Sequence, residues 1–245
     1  MRIPRPALVA VAAVPVVACG AIAAEAVYAS SIEADLSTRI AAPGQVGVPS
    51  VKIGGRPGSR WVAPDTLASA AIRIEGVERP GLGPVAVEAA ATGVRVPGDP
   101  DAPPTAPEAT ISVQITGDSL GPALGMRDVL VGAADDPSLA GGTEHRARVT
   151  GTIEGTDTRV SAFVDLVVDA RGAHLVPVAP ATGPAGFPDG DGELALRRTA
   201  LTLEPDVLPL GATVDTLTVT GGTITAAGTV APGGAPLDGL ARPGH

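Results

Sequence analysis

The segment ITGDSLG, residues 115–121, comes closer than any other stretch of this chain to a catalytic pattern. Its Gly-Asp-Ser-Leu-Gly core fits G-x-S-x-G, in which a tight turn between a strand and a helix exposes a nucleophilic serine. It also contains the G-D-S-L block of a large esterase family. Ser119 is therefore the candidate nucleophile of an exported serine esterase. Such a site also needs a base, an acidic partner and N–H donors for the oxyanion.

The surroundings of Ser119 supply little of that machinery. The strand predicted before it is followed by barely a turn and a half of helix, with Pro122 inside it. The chain has no asparagine and no D-x-x-H block, and none of its histidines has a triad context; they are His145, His174 and His245. We predict no catalytic residue. Instead, Asp118 or Ser119 is interpreted as the N-cap of a short helix.

Metal, cofactor and nucleic-acid chemistry are not predicted either. Three scattered histidines and a single cysteine cannot form a transition-metal site at the usual spacings. The segment DGDGE, residues 189–193, resembles the start of a calcium loop but lacks the later ligands, so it is interpreted as a turn. A net charge of -9 argues against nucleic acid as a partner, because phosphate contacts need a basic face.

The first 24 residues predict export. Arg2 and Arg5 precede an uncharged run rich in valine and alanine, which is typical of a signal segment or a membrane anchor. Three fates remain open for it. Cys19 loosely fits a lipidation site, residues 21–23 fit an ordinary signal-peptidase cut, and the whole run approaches the ~20 residues that span a bilayer. The expected location is the cell envelope, at the outer face of the cytoplasmic membrane.

The remaining chain alternates between one helical segment and many strands. Ile32, Leu36 and Ile40 recur every four residues, which predicts an amphipathic helix over residues 25–41. From residue 48 onward, apolar residues alternate with polar ones in segment after segment, as in half-buried antiparallel strands. Residues 193–204 are ambiguous between helix and strand. The clearest hairpin is residues 216–227, in which Gly221-Gly222 forms the turn.

These patterns predict an α+β fold that is mainly antiparallel β. A curved sheet or open barrel would wrap around the N-terminal helix. Residues 25–231 are predicted to form one domain, followed by a flexible tail over residues 232–245. Aromatic residues make up only 2% of the chain, so the interior is aliphatic.

The order of these segments resembles the LmeA-like phospholipid-binding proteins of actinobacteria. An export segment leads directly into an amphipathic helix, then comes VKIGGRPG at residues 51–58, and then AIRIEGV at residues 71–77. ITGDSLGPAL, residues 115–124, occupies the place of a mid-chain strand and short helix. LPLGATVDTLTVTGGTITAAG, residues 208–228, matches the family's final turn and hairpin.

The resemblance implies a fold related to the tubular lipid-binding proteins, in which a curved sheet wraps a long helix around an apolar groove for acyl chains. It also implies a non-enzymatic role in envelope lipid or lipoglycan biogenesis, with phospholipid and the membrane as partners and no cofactor. The candidate lipid contacts are Ile32, Leu36, Trp61, Ile72, Ile74, Ile111, Val113, Ile115, Leu120 and Leu124.

Two alternatives stay open for these residues. The aliphatic side chains could pack a closed core that leaves no groove, as they would in an ordinary structural or adaptor domain. Trp61 could lie at the lipid headgroup level, where indole rings are favoured, or be a partly buried core aromatic.

Overall fold

The structure, a computed structural model, describes residues 26–41, 47–55, 60–134, 143–181 and 191–243. Its helices are α1 (26–40), α2 (Gly117–Leu124) and α3 (Asp191–Thr199), with short 3-10 helices at Thr143–His145 and Leu237–Leu240. The strands are β1 (Ser50–Ile53), β2 (Trp61–Ala63), β3 (Thr66–Val77), β4 (Val85–Arg95), β5 (Thr105–Ala106), β6 (Glu108–Ile115), β7 (Met126–Ala133), β8 (Arg146–Ile153), β9 (Arg159–Asp169), β10 (Gly172–Pro180), β11 (Leu201–Thr202), β12 (Thr213–Thr220), β13 (Thr223–Thr229) and β14 (Ala235–Pro236).

The strands form two antiparallel sheets. Sheet A has the order β1-β3-β4-β6-β13-β12, with the short strands β2, β5 and β14 attached at its side. Sheet B has the order β11-β10-β9-β8-β7 and curls into a half-barrel. The α+β, mainly antiparallel class with an N-terminal helix is confirmed. Helix α2 makes the crossover, because it leaves sheet A after β6 and leads directly into β7 of sheet B.

Period-two alternation sets the faces of both sheets, as expected from the sequence. In the hairpin of β12 and β13, Val219 lies opposite Ile224 and Leu217 opposite Ala226, so both predicted apolar pairs are confirmed. The turn residues Gly221 and Gly222 have φ of 57° and 87°, a conformation that glycine adopts without steric cost.

Two segments adopt more order than their sequence suggests. The ambiguous stretch 193–204 divides into the end of α3 and the two-residue strand β11. In the segment predicted as a flexible tail, β14 pairs with β5, and Leu237 and Leu240 of the 3-10 helix are fully buried. Residues 235–241 therefore pack on the domain, because this removes the apolar side chains of Leu237 and Leu240 from water.

Candidate functional site

Five of the aliphatic residues predicted to meet lipid lie together on the inner face of sheet A. Ile72 and Ile74 come from β3, and their neighbours across β4 are Ala89 and Val87. The next strand, β6, continues the same two rows and adds a third position; its residues are Ile111, Val113 and Ile115. All five are buried in one continuous hydrophobic core. Antiparallel pairing thus builds one apolar wall from side chains 40 residues apart in sequence.

Helix α1 covers part of this wall. Leu36 is fully buried, while Ile32 is partly buried and packs against the same core. Polar contacts hold the helix to β1: the hydroxyl of Ser37 donates to the carbonyl of Pro49 at 2.5 Å. The Glu33 carboxylate accepts from the backbone N–H of Ile53 at 3.1 Å and pairs with Lys52. Helix and sheet are therefore joined by apolar packing and by side-chain hydrogen bonds.

Helix α2 begins two residues earlier than the sequence suggests. Its N-cap is Thr116, whose side chain accepts a hydrogen bond from the backbone N–H of Ser119, so the N-cap prediction of Asp118 or Ser119 is wrong. The first residue of the helix is Gly117, and a Cβ at this position would lie only 1.8 Å from the carbonyl oxygen of Val129. Only glycine permits this close approach between α2 and β7.

The two leucines of α2 face the interior. Leu120 and Leu124 are both buried in the core. The helix ends at Gly125, which has φ of 60°, a left-handed conformation that is common one residue past a helix.

Ser119 has a structural role in this arrangement. Its side chain is 1% exposed, and its hydroxyl donates to the carbonyl oxygen of Pro84 at 2.5 Å, with the hydroxyl of Thr116 at 3.0 Å. A carbonyl and a hydroxyl are not general bases, and a nucleophile needs both a base and access to its substrate. These contacts link α2 to the start of β4 through Ser119, and they do not make it an exposed nucleophile.

Trp61 and Cys19 stand apart from this cluster. Trp61 lies in β2, where it is half-buried and packs against the core; its indole N–H is buried without a hydrogen-bond partner among the described residues. Cys19 and the segment predicted to direct export lie outside the described residues, as do residues 189 and 190 of the weak calcium motif. Across the described ranges, no group of acidic, histidine and cysteine side chains is arranged to hold a metal ion.

A cavity of about 400 Å³, which we call the seam cavity, opens between the turn that follows β3 of sheet A, helix α2, and β11 of sheet B. Its walls come from three segments: the turn after β3, the C-terminal half of α2, and β11 with the two residues that follow it. The lining residues are Pro80, Gly81, Leu82, Pro122, Ala123, Leu201, Thr202, Leu203 and Glu204. Leu82 and Leu203 also belong to the hydrophobic core, so the seam cavity leads from the surface to buried aliphatic side chains.

Sequence reasoning missed the seam cavity. Its three segments are separated by about 40 and 80 positions, and only Pro122 and Ala123 lie in the motif that was singled out. The ambiguity of residues 193–204 was the one available signal, since a segment without clear periodicity is often irregular structure.

Two further furrows lie on the outer face of sheet A. One has about 460 Å³ and the other about 240 Å³, and they share Ala90 and Thr110. Lys52, Arg73 and Glu88 line the first furrow. These furrows face away from the apolar wall, since Ala90 and Thr110 are exposed whereas their neighbours Ala91 and Ile111 are buried.

The charges near the seam cavity differ in their environment. Glu204 is exposed at the cavity, and a Cβ on Gly81 would lie 4.0 Å from its Cγ. Arg79, directly before the cavity wall, is buried; burial disfavours its charged form and lowers its pKa, while Asp206 acts in the opposite direction. One guanidinium nitrogen of Arg79 donates to the carbonyl of Leu240 at 3.3 Å. Arg79 thereby ties the C-terminal 3-10 helix to the end of β3.

A mainly antiparallel protein with a curled sheet, an N-terminal helix on an aliphatic wall and a cavity open to the core has the architecture of a binder of apolar ligands. The chain belongs to the LmeA-like phospholipid-binding family, whose model matches residues 21–229. Searches of curated proteins and of solved structures returned no match. In the described part of the chain, no helix is both long and apolar enough to cross a membrane.

Proposed function

We propose that this protein is an exported, non-enzymatic phospholipid-binding protein of the cell envelope that takes up acyl chains through the seam cavity. The observation that carries the proposal is the family match over residues 21–229, in a fold whose seam cavity reaches the aliphatic core. The proposed location is the outer face of the cytoplasmic membrane, either anchored or peripheral. The proposed role is in envelope lipid or lipoglycan biogenesis.

The chemistry of the cavity suits acyl chains better than polar metabolites. Three leucines and one alanine line it beside two prolines, and each methylene of a ligand buried against them contributes ~0.8 kcal/mol. A volume of about 400 Å³ is at the lower end of ligand pockets, which span roughly 300–1,000 Å³. We therefore propose that the cavity receives the first part of an acyl chain, and that the chain extends toward the wall of Ile74, Ile111 and Leu120.

A non-enzymatic role is supported by the surroundings of Ser119. Its hydroxyl is buried and is committed to the Pro84 carbonyl. Transfer of a lipid between membranes needs binding and release but no covalent step, so an aliphatic cavity without a nucleophile suffices for it.

The experiment is native mass spectrometry of the protein purified from membranes, together with two matched tryptophan variants. Ala123→Trp would fill the seam cavity, and we expect it to remove most of the bound phospholipid. Ala90→Trp would fill a furrow on the outer face of sheet A, and we expect it to leave binding unchanged. Circular dichroism would confirm that both variants fold.

Other outcomes point to other functions. A protein that carries no lipid and also ignores anionic liposomes would contradict the proposal and favour an adaptor domain. Labelling of Ser119 by a fluorophosphonate probe, lost in Ser119→Ala, would favour the esterase. Loss of lipid in the Ala90→Trp variant alone would move the binding site to the outer face of sheet A.

A further inference from the structure

Glu204 is the one charged side chain among the described residues that line the seam cavity. It follows β11 by two positions, and its backbone carbonyl accepts a hydrogen bond from the N–H of Val207 at 3.0 Å, which fixes the chain at this point. Its neighbour Leu203 is buried while Glu204 is exposed. A carboxylate therefore stands at the water-facing side of a cavity whose inner side is aliphatic.

Among the described residues Glu204 forms no ion pair, whereas Glu33 pairs with Lys52 and Glu88 with Arg73. No lysine or arginine is found in the described lining of the cavity. An amphiphile whose tail enters the cavity would place its headgroup at the rim, where the nearest ionised lining group is an anion.

On the basis of the proposed function, we propose that the seam cavity favours phospholipids whose headgroup carries a primary ammonium group, and that Glu204 is the residue that selects them. An ammonium group can donate charge-assisted hydrogen bonds to the carboxylate. A trimethylated ammonium keeps the charge but has no N–H to donate. An anionic headgroup such as phosphoglycerol would face repulsion from Glu204. The phosphate diester is common to all three lipids, so the buried cation of Arg79 does not discriminate between them.

The size of the effect follows from the exposure of Glu204. Exposed ion pairs contribute little because water screens them, so we expect about a two- to fivefold preference for the primary amine over the anionic headgroup. The order of binding should be phosphatidylethanolamine, then phosphatidylcholine, then phosphatidylglycerol.

The test is a competition on the full chain. The protein is incubated with vesicles that contain the three dioleoyl lipids in equal amounts, and the protein-bound lipid is then separated and quantified by mass spectrometry. Glu204→Gln should abolish the preference, and Glu204→Arg should reverse it toward phosphatidylglycerol. The matched control is Glu108→Gln, since Glu108 is an exposed glutamate that lines a furrow on sheet A and should leave the preference unchanged.

The outcomes separate this inference from the proposed function. If the wild-type protein binds the three lipids equally, or if Glu204→Gln keeps the preference, the role of Glu204 is overturned while phospholipid binding stands. If Glu108→Gln also abolishes the preference, the headgroup preference depends on the net charge of the protein and not on Glu204 itself, and the inference fails. If no lipid is bound at all, the proposed function fails, and the selection by Glu204 fails with it.

Discussion

Replacing Ser119 by alanine separates the structural from the catalytic interpretation of the ITGDSLG segment. The serine hydroxyl donates to the Pro84 carbonyl at 2.5 Å from a side chain that is 1% exposed. Its removal breaks this part-buried hydrogen bond, which costs about 0.5–1.5 kcal/mol, and up to about 3 kcal/mol if the Pro84 carbonyl is left without a partner. Part of this cost is offset because alanine buries a methyl group in place of a hydroxyl. We therefore expect Ser119→Ala to lower the free energy of unfolding by about 1–2 kcal/mol, or the melting temperature by roughly 2–8 °C.

Urea denaturation and calorimetry measure this loss, and lipid binding measured in parallel should be unchanged. Thr116→Ala is the companion variant, because it removes the N-cap and should cost about 0.5–2 kcal/mol. The Thr116 and Ser119 side chains touch, so the double variant should lose less than the two single losses combined. A Ser119→Ala protein of unchanged stability that loses an ester-hydrolysing activity would refute the structural interpretation.

Three further changes test other parts of the structure. Gly117→Ala should unfold the protein or strongly destabilise it, since its Cβ would lie 1.8 Å from the Val129 carbonyl oxygen; Gly98→Ala, with no atom within 4 Å of its Cβ, should leave the melting temperature nearly unchanged. A chain that ends at residue 234 loses two buried leucines, Leu237 and Leu240, and should be less stable to urea by about 3–6 kcal/mol. The backbone N–H of Arg171 and the nearby His174 lower the pKa of Asp169. This carboxylate therefore stabilises the fold at pH values above the ordinary aspartate pKa, and the stabilisation is lost as the pH falls through the lowered pKa. An NMR titration of Asp169 measures the pKa, and the pH dependence of stability compared with that of Asp169→Asn measures the contribution. A normal Asp169 pKa, a stable Gly117→Ala protein or an unaffected truncation would each contradict the corresponding contact.

The sheet and its inner face could be predicted from the sequence because alternation is a local signal. A strand such as β3 or β6 that is apolar at every second position has one apolar face, and that face must be buried whichever strand it pairs with. The alternation therefore predicts an apolar face for Ile72, Ile74, Ile111 and Val113, independently of which strands they pair with. The Gly221-Gly222 turn fixed the register of the last hairpin for the same local reason.

Contacts between distant segments could not be predicted in this way. The N-cap of α2 depends on the approach of Gly117 to β7, which no periodicity reveals. The order in residues 235–241 depends on Arg79, more than 150 positions away, and on β5. The seam cavity depends on the crossover that brings β11 beside the turn after β3. All three are consequences of topology, and single-sequence patterns carry little information about it.

The same topology indicates on which side of the aliphatic interior the structure could open locally to admit a ligand. Helix α1 is tied to β1 by the side chains of Glu33 and Ser37, and its Leu36 and Ile40 are buried in the core. On the seam side, α2 is held by its buried leucines and by Ser119, whereas β11 pairs with β10 through only two residue pairs. Local opening costs less where fewer backbone hydrogen bonds and buried contacts must break. The entry route that we propose for a phospholipid lies on this side, between α2 and β11, where Glu204 lines the cavity.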